Sequence, residues 1–258
     1  MPLPAMYGKL APWFHLLTAP EDYAEEAAFY RKTLIAHSTK RPTTLLELGS
    51  GGGNNASFMK KHFQMTLSDL SPRMLALSKT INPELEHVRG DMRTMRLRRQ
   101  FDAVFVHDAI CYMTTERDLR AAIETAYVHT KPGGVALFAP DYTKEKFGPS
   151  THAGGHDDKK SLRGLRYLEW TWDPDPDDTS YICEFAIMTR DENGGVRTTT
   201  DRHIEGIFPR ADWLRWFRDA GFRPRAVRFK HSDLEVALTV FVGVKPERSP
   251  KRASSRGS

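Results

Sequence analysis

Cysteine is scarce in this chain. Cys111 and Cys183 stand far apart and in no C-x-x-C spacing, so neither a disulfide framework nor a zinc pattern follows. A reducing compartment, the cytoplasm, is the expectation. Long apolar runs are missing too: no stretch approaches the ~18 residues that a membrane span requires. The opening residues M-P-L-P-A-M-Y-G-K put prolines where a secretory leader needs a helical apolar run, so no leader is expected. Nor is there a strong excess of one charge. The formal net charge is +5, but residues 246–258 carry four basic residues and one acid, which leaves the rest near +2. That balance argues against a nucleic-acid footprint. With 258 residues the chain is long enough for one large domain or a domain with an elaboration.

What is present is organised around Thr43 to Asn55, T-T-L-L-E-L-G-S-G-G-G-N-N. Thr44 to Leu48 reads as a strand buried on both faces of a parallel sheet. Gly49, Gly51, Gly52 and Gly53 then form a turn that can bring bare backbone close to a ligand. Asn54 or Asn55 is expected to cap a helix running to about Lys61. Strand, glycine turn and helix start describe a nucleotide-type site at the carboxyl edge of a doubly wound sheet. A dinucleotide fingerprint wants a third glycine where Asn54 stands, which weakens the NAD reading. Glu47, at the strand end, suits a positively charged ligand instead.

The strand–helix alternation extends both ways. A helix starts at Thr18 to Glu21 and reaches about His37. Gln64 to Ser68 reads as a strand ending in Asp69, with Ser71 and Pro72 opening the next helix. Asp69 lies 20 residues after Gly49, where an acid can accept both ribose hydroxyls. Leu85 to Arg89 is a third strand, followed by Gly90-Asp91-Met92. Phe101 to Val106 is a fourth, ending in His107-Asp108. Asp118 to His129 is an amphipathic helix, and Lys131-Pro132-Gly133-Gly134 turns into a fifth strand that ends near Asp141. Arg93, Arg96, Arg98 and Arg99 read as a solvated basic turn.

The run apolar-apolar-Glu-x-Gly-x-Gly-x-Gly ending at Gly53, the strand-end Asp69, G-D-M at 90–92 and K-P-G-G at 131–134 together resemble the class I S-adenosylmethionine (SAM) methyltransferases. The resemblance spans about residues 20–140. It implies an α/β fold, a doubly wound Rossmann-like sheet of seven strands in the order 3-2-1-4-5-7-6 with helices on both faces, and SAM as cofactor. It also implies cofactor contacts from Tyr23, Glu47, Gly49, Gly51, Asp69 and Leu70, and from Asp91, Met92 and His107. Glu47 would lie near the methionine ammonium, Asp69 on the ribose and Asp91 on the adenine amino group, with Met92 over the ring. The [D/N]-P-P-[Y/F/W] clamp of adenine and glutamine enzymes is absent. So is the Pro-Cys nucleophile of cytosine C5 enzymes, since Cys111 follows Ile110.

Beyond Asp141 the alternation stops. Residues 142–161 are polar and glycine-rich and read as a loop, hinged at Gly154-Gly155. His152, His156 and Asp157 fall in that loop, so no metal site is expected. Leu165 to Trp172, Thr179 to Thr189 and Val196 to Ile207 read as a small antiparallel sheet inserted above the cofactor site. Pro209 to Ala220 is a helix closed by Gly221, and Phe222 to Phe229 and Val236 to Val244 are the last two strands. The expected division is a helical cap at 1–40, a SAM-binding core at 41–141 and 208–245, an acceptor-binding insert at 142–207 and a disordered basic tail at 246–258.

G-D-M-R, the P-G-G strand, the β-rich insert and H-x-x-x-x-F at His203 to Phe208 resemble the narrower branch of deoxyaminosugar N,N-dimethyltransferases. Glu47, His107 and the Phe14-His15 pair depart from that branch. The expected activity is methyl transfer to N or O of a small-molecule acceptor, of secondary-metabolite or sugar-like kind. The alternatives are RNA or protein methylation and a non-catalytic SAM-binding scaffold. His107, Asp141 and His203 are the candidate bases. Tyr112, Tyr142, Trp170 and His203 are the candidate acceptor contacts, His203 pointing at the cofactor if Ile204 and Ile207 face the core. A monomer or homodimer is expected.

Overall fold

The computed structural model describes residues 3–232 and 237–247. Phe14–Leu17 forms a short helix α1, and a 3-10 turn at Pro20–Tyr23 leads into α2, Ala24–His37. There follow β1 (Thr44–Leu48), α3 (Asn54–Met59), β2 (Gln64–Asp69), α4 (Pro72–Ile81), β3 (Glu86–Arg89) and β4 (Phe101–His107). Next come α5 (Glu116–His129) and β5 (Thr130–Ala139), then four strands of an insert: β6 (Ser150–Gly154), β7 (Gly164–Trp172), β8 (Ser180–Arg190) and β9 (Val196–Gly206). The chain returns through α6 (Arg210–Asp219), β10 (Arg223–Phe229) and β11 (Leu238–Val244).

The main sheet runs β3-β2-β1-β4-β5-β11-β10, which is the expected 3-2-1-4-5-7-6 with the last two strands counted as sixth and seventh. β1 lies parallel to both β2 and β4, so the strand order reverses on either side of it and a crevice opens at the carboxyl ends. Because side chains alternate along a strand, the buried runs serve two cores. Leu46, Leu48, Val104 and Val106 pack under α5 and α6 with Ile123, Trp213 and Phe217. Leu45, Ala103 and Phe105 pack on the other face with Tyr30, Leu34 and Met59 of α2 and α3.

The insert strands form a separate antiparallel sheet, β6-β7-β8-β9. The leader before α2 is packed on it, Met6 and Leu10 lying against Leu165 and Ile187. The Asp201 carboxylate on β9 accepts the backbone N–H groups of Ala5 and Met6 at 2.8 and 2.7 Å. The leader is therefore tied to the insert before it reaches the crevice.

Three local expectations need correction. The stretch 142–161 is not all loop, because Ser150–Gly154 pairs with β7. As the edge strand of a small sheet it lacks the apolar alternation that marks a half-buried strand. Neither Asn54 nor Asn55 caps α3: Gly53, left-handed at φ 78°, is the cap and both asparagines lie buried in the first turn. The basic turn is not simply solvated, since Arg93 binds Asp91 and Asp118 and Arg99 binds Glu86. The expected start of the last strand at Val236, and the tail from residue 248 on, lie outside the described residues.

Candidate functional site

A cleft opens where β1, β2, β3 and β4 end. The N–H groups of Gly49 and Ser50 both donate to the Ser68 carbonyl, at 2.8 and 2.9 Å, which folds the glycine turn back over the sheet edge. Gly49 has φ 73°, and a Cβ there would lie 2.3 Å from Cβ of Ala109. A Cβ on Gly52 would lie 2.7 Å from Phe14, so bareness at this position lets the leader close on the turn. Asp69 braces the same turn, accepting Gly51 N–H at 2.9 Å and Ser71 N–H at 2.8 Å.

All nine residues expected at the cofactor line this one cleft: Tyr23, Glu47, Gly49, Gly51 and Asp69, then Leu70, Asp91, Met92 and His107. Glu47 is buried and one of its carboxylate oxygens has no hydrogen-bond partner. Burial pushes its carboxyl up to about 8, with His107 acting the other way. A buried carboxyl with an idle oxygen fits a cationic group, and the Cβ-free turn fits close backbone approach, so these residues suit SAM. Asp91 is held low by its Arg93 partner and is half-buried at the cleft wall.

His107 sits deeper, at the end of β4. Its Nε2 is 2.8 Å from Asp108 and 3.5 Å from Glu26, while Asn55 lies 3.3 Å from Nδ1 and donates to Glu26 at 2.7 Å. Burial alone would lower this imidazole, but Asp108 and Glu26 outweigh it and raise it to about 9. Ringed by carboxylates in this way, His107 suits a charged anchor.

Past His107 the cleft joins a larger chamber of about 840 Å³ between the leader, the main sheet and the insert. Tyr7, Phe14, Tyr23, Asp108 and Tyr112 line both spaces. Asp141, Tyr142, Glu169, Tyr181, His203 and Glu205 line the chamber further in. The Asp141 and Asp108 carboxyls stand beside each other and act on one another. Burial and the neighbouring acids push Asp141 well up, whereas His107 overcomes burial to hold Asp108 low.

His203 is buried, with Nδ1 at 2.7 Å from the Tyr112 hydroxyl and Nε2 at 3.2 Å from Asp201. Burial would lower it, but Asp201 and Glu205 raise it to about 9. It lines the chamber with Glu205, on the same face of β9 as Asp201, while Ile204 points the opposite way and is exposed, contrary to the expected facing. Strand parity decides this: 201, 203 and 205 share one face. Parity also removes Trp170 from the site. It lies on the outer face of β7, 55% exposed, against Trp172.

Of the residues once weighed for metal, His152 lines the chamber, His156 pairs with Asp22, and Asp157 pairs with Arg166 and Arg190. They do not converge. Sequence reasoning missed Tyr7, Glu26, Asn55, Glu169 and Glu205. Their partners lie far along the chain, and no local motif marks them.

Residues 45–134 match the model of a methyltransferase-domain family. The chain is 28% identical over 208 residues to the dTDP-3-amino-3,4,6-trideoxy-α-D-glucopyranose N,N-dimethyltransferase of Streptomyces venezuelae, covering 79% of this chain and 84% of that protein. The crystal structure of Streptomyces venezuelae DesVI superposes with a TM-score of 0.80 at 25% identity, covering 92% of this chain and 98% of that one. SAM-bound CalS10, an amino pentose methyltransferase from Micromonospora echinaspora, shares the fold with a TM-score of 0.71 at 23% identity, covering 86% and 91%.

Proposed function

We propose that this chain, a class I SAM-dependent methyltransferase acting on small molecules, methylates an amine nitrogen of a sugar-like acceptor held in the chamber. One observation carries the choice of nitrogen. Of the groups best placed to ionise a hydroxyl, His107 and His203 are each raised to about 9 by the carboxylates around them, and burial pushes Asp141 up. An amine needs only to lose its ammonium proton, and the ionised Asp108 stands where cleft and chamber meet. The amino-sugar substrates in the relatives' names support the same choice.

In this reading Glu47 receives the cofactor's ammonium, Asp69 its ribose and Asp91 its adenine, with Tyr23 and Phe14 closing the leader over it. Bound SAM supplies an electrophilic methyl on sulfur, whose C–S bond breaks as the new N–C bond forms. The amine reacts as the neutral base, its ammonium proton passing to solvent, and Asp108 holds a remaining N–H so that the lone pair faces the cleft. Tyr112, braced by His203, positions the acceptor, and the leader excludes water. The leader at 1–40 and the insert at 142–207 serve the acceptor, on a cofactor-binding core at 41–141 and 208–245. The reading includes a cytoplasmic monomer or homodimer, which light scattering would distinguish.

The test is to incubate the protein with SAM and paired aminosugars and their hydroxyl analogues, and to read products by mass spectrometry. Mono- and dimethylated amines are expected. Methyl groups found only on the hydroxyl analogues would sink the nitrogen assignment.

A further inference from the structure

The chamber wall is acidic on every side. Asp108 comes from the turn after β4, Asp141 from the segment after β5, Glu169 from β7 and Glu205 from β9. Basic groups are few. Among the described residues that line the chamber there is no arginine, and the single lysine, Lys146, donates to the Ala237 carbonyl. The His203 cation is already paired with Asp201 and lies 3.8 Å from Glu205. His152 stands opposite Glu169 in the β6–β7 register.

We propose that the chamber takes its acceptor as a free cationic amine carrying no phosphate, unlike the dTDP-linked sugars for which the relatives are named. The inference rests on the reading of the chamber as the acceptor site. A diphosphate recognised by protein needs arginine forks, lysines or a helix N-terminus around it. Here it would bring about two negative charges into a wall that offers it no arginine and sets Asp108 and Glu205 beside it. An ammonium does the reverse. Size does not make the distinction, since about 840 Å³ lies within the range for ordinary small-molecule sites.

Two further features agree. Burial first, and nearby acids after it, raise both Asp141 and Glu169. An arriving ammonium acts the other way. Tyr142 and Tyr181 meet edge to face at 5.7 Å on the chamber wall, offering aromatic surface of the kind that favours cations.

The test uses one sugar in two forms: 3-amino-3,4,6-trideoxyglucose as its methyl glycoside and as its dTDP conjugate. Wild type, Glu169→Gln and Glu169→Lys are compared by kcat/KM and by calorimetric binding to protein loaded with S-adenosylhomocysteine, after circular dichroism confirms folding. Wild type is expected to prefer the glycoside by at least about tenfold, with E169Q raising its KM about threefold and E169K favouring the conjugate. Preference of wild type for the conjugate, or indifference of both forms to residue 169, overturns the proposal and leaves N-methylation of a sugar standing. If SAM binds but neither form is bound or methylated, the aminosugar reading itself falls, and this inference with it.

Discussion

The Tyr112 hydroxyl stands 2.7 Å from Nδ1 of His203 and donates onward to the Tyr7 hydroxyl at 2.9 Å. This short chain joins the insert, the turn after β4 and the leader at the mouth between cleft and chamber. With His203 protonated every link has a donor and an acceptor, and Asp201 closes the far end while also holding the leader's backbone.

His203→Ala should therefore act on the acceptor side. SAM affinity is expected to stay within about threefold, under ~1 kcal/mol, while turnover drops at least about tenfold. SAM titration and steady-state kinetics on one preparation separate the two. The wild-type protein carries a pH signature of the same contact. Because the folded pKa of His203, about 9, exceeds its ordinary 6.5, the ion pair's stabilisation is complete below 6.5 and is lost as pH rises through 9. Limited proteolysis should find the leader more readily cut above that range. Equal SAM and turnover losses in H203A would make the residue purely structural.

Glu47 predicts proton release on cofactor binding. In the free protein its carboxyl keeps a proton up to about pH 8, whereas pairing with an ammonium requires the ion. SAM affinity should then rise with pH below 8, by nearly tenfold per unit, and Glu47→Gln should flatten the slope and weaken binding. The stability sign is opposite: with a folded pKa above its ordinary 4.5, Glu47 costs the free protein stability as pH climbs from 4.5 to 8. E47Q should remove that cost in thermal melts. Calorimetry in buffers of different ionisation enthalpy counts the proton, and no release would contradict the assignment.

The glycine turn makes a steric prediction. Gly49→Ala forces a Cβ to within 2.3 Å of Ala109 from a left-handed backbone. Its cost should be at least about 2 kcal/mol, seen as a lower Tm and lost SAM binding. Asp69→Ala should be subtler, weakening SAM by about 1–3 kcal/mol through lost hydrogen bonds. It should also loosen the turn, since Gly51 and Ser71 lose their acceptor. NAD should not compete in either case. Binding of NAD without SAM would refute the cofactor assignment.

Removing residues 248–258 should leave Tm within about 1 °C and SAM affinity unchanged, because that segment has almost no apolar side chains to bury. Differential scanning fluorimetry checks it. A large drop in Tm would mean that the segment docks on the body.

The cofactor half of the protein was legible in the sequence because its determinants are local. Glu47 and Gly49 are two residues apart, Asp69 ends a strand, and Asp91-Met92 end the next, so strand periodicity and turn chemistry suffice to put them on one sheet edge. The acceptor half was not legible. The charge of His107 depends on Glu26 from α2, and that of His203 on Asp201 and Glu205, which the sequence shows only as acids in unremarked places. Asp141 is pushed up because folding buries it and sets it against Asp108, 33 positions earlier. Parity along a strand placed Trp170 outside and His203 inside, and one residue of register would have exchanged them. A sequence carries each group's ordinary pKa and its strand phase; the electric field at a buried group is the sum over neighbours that only the tertiary fold brings together.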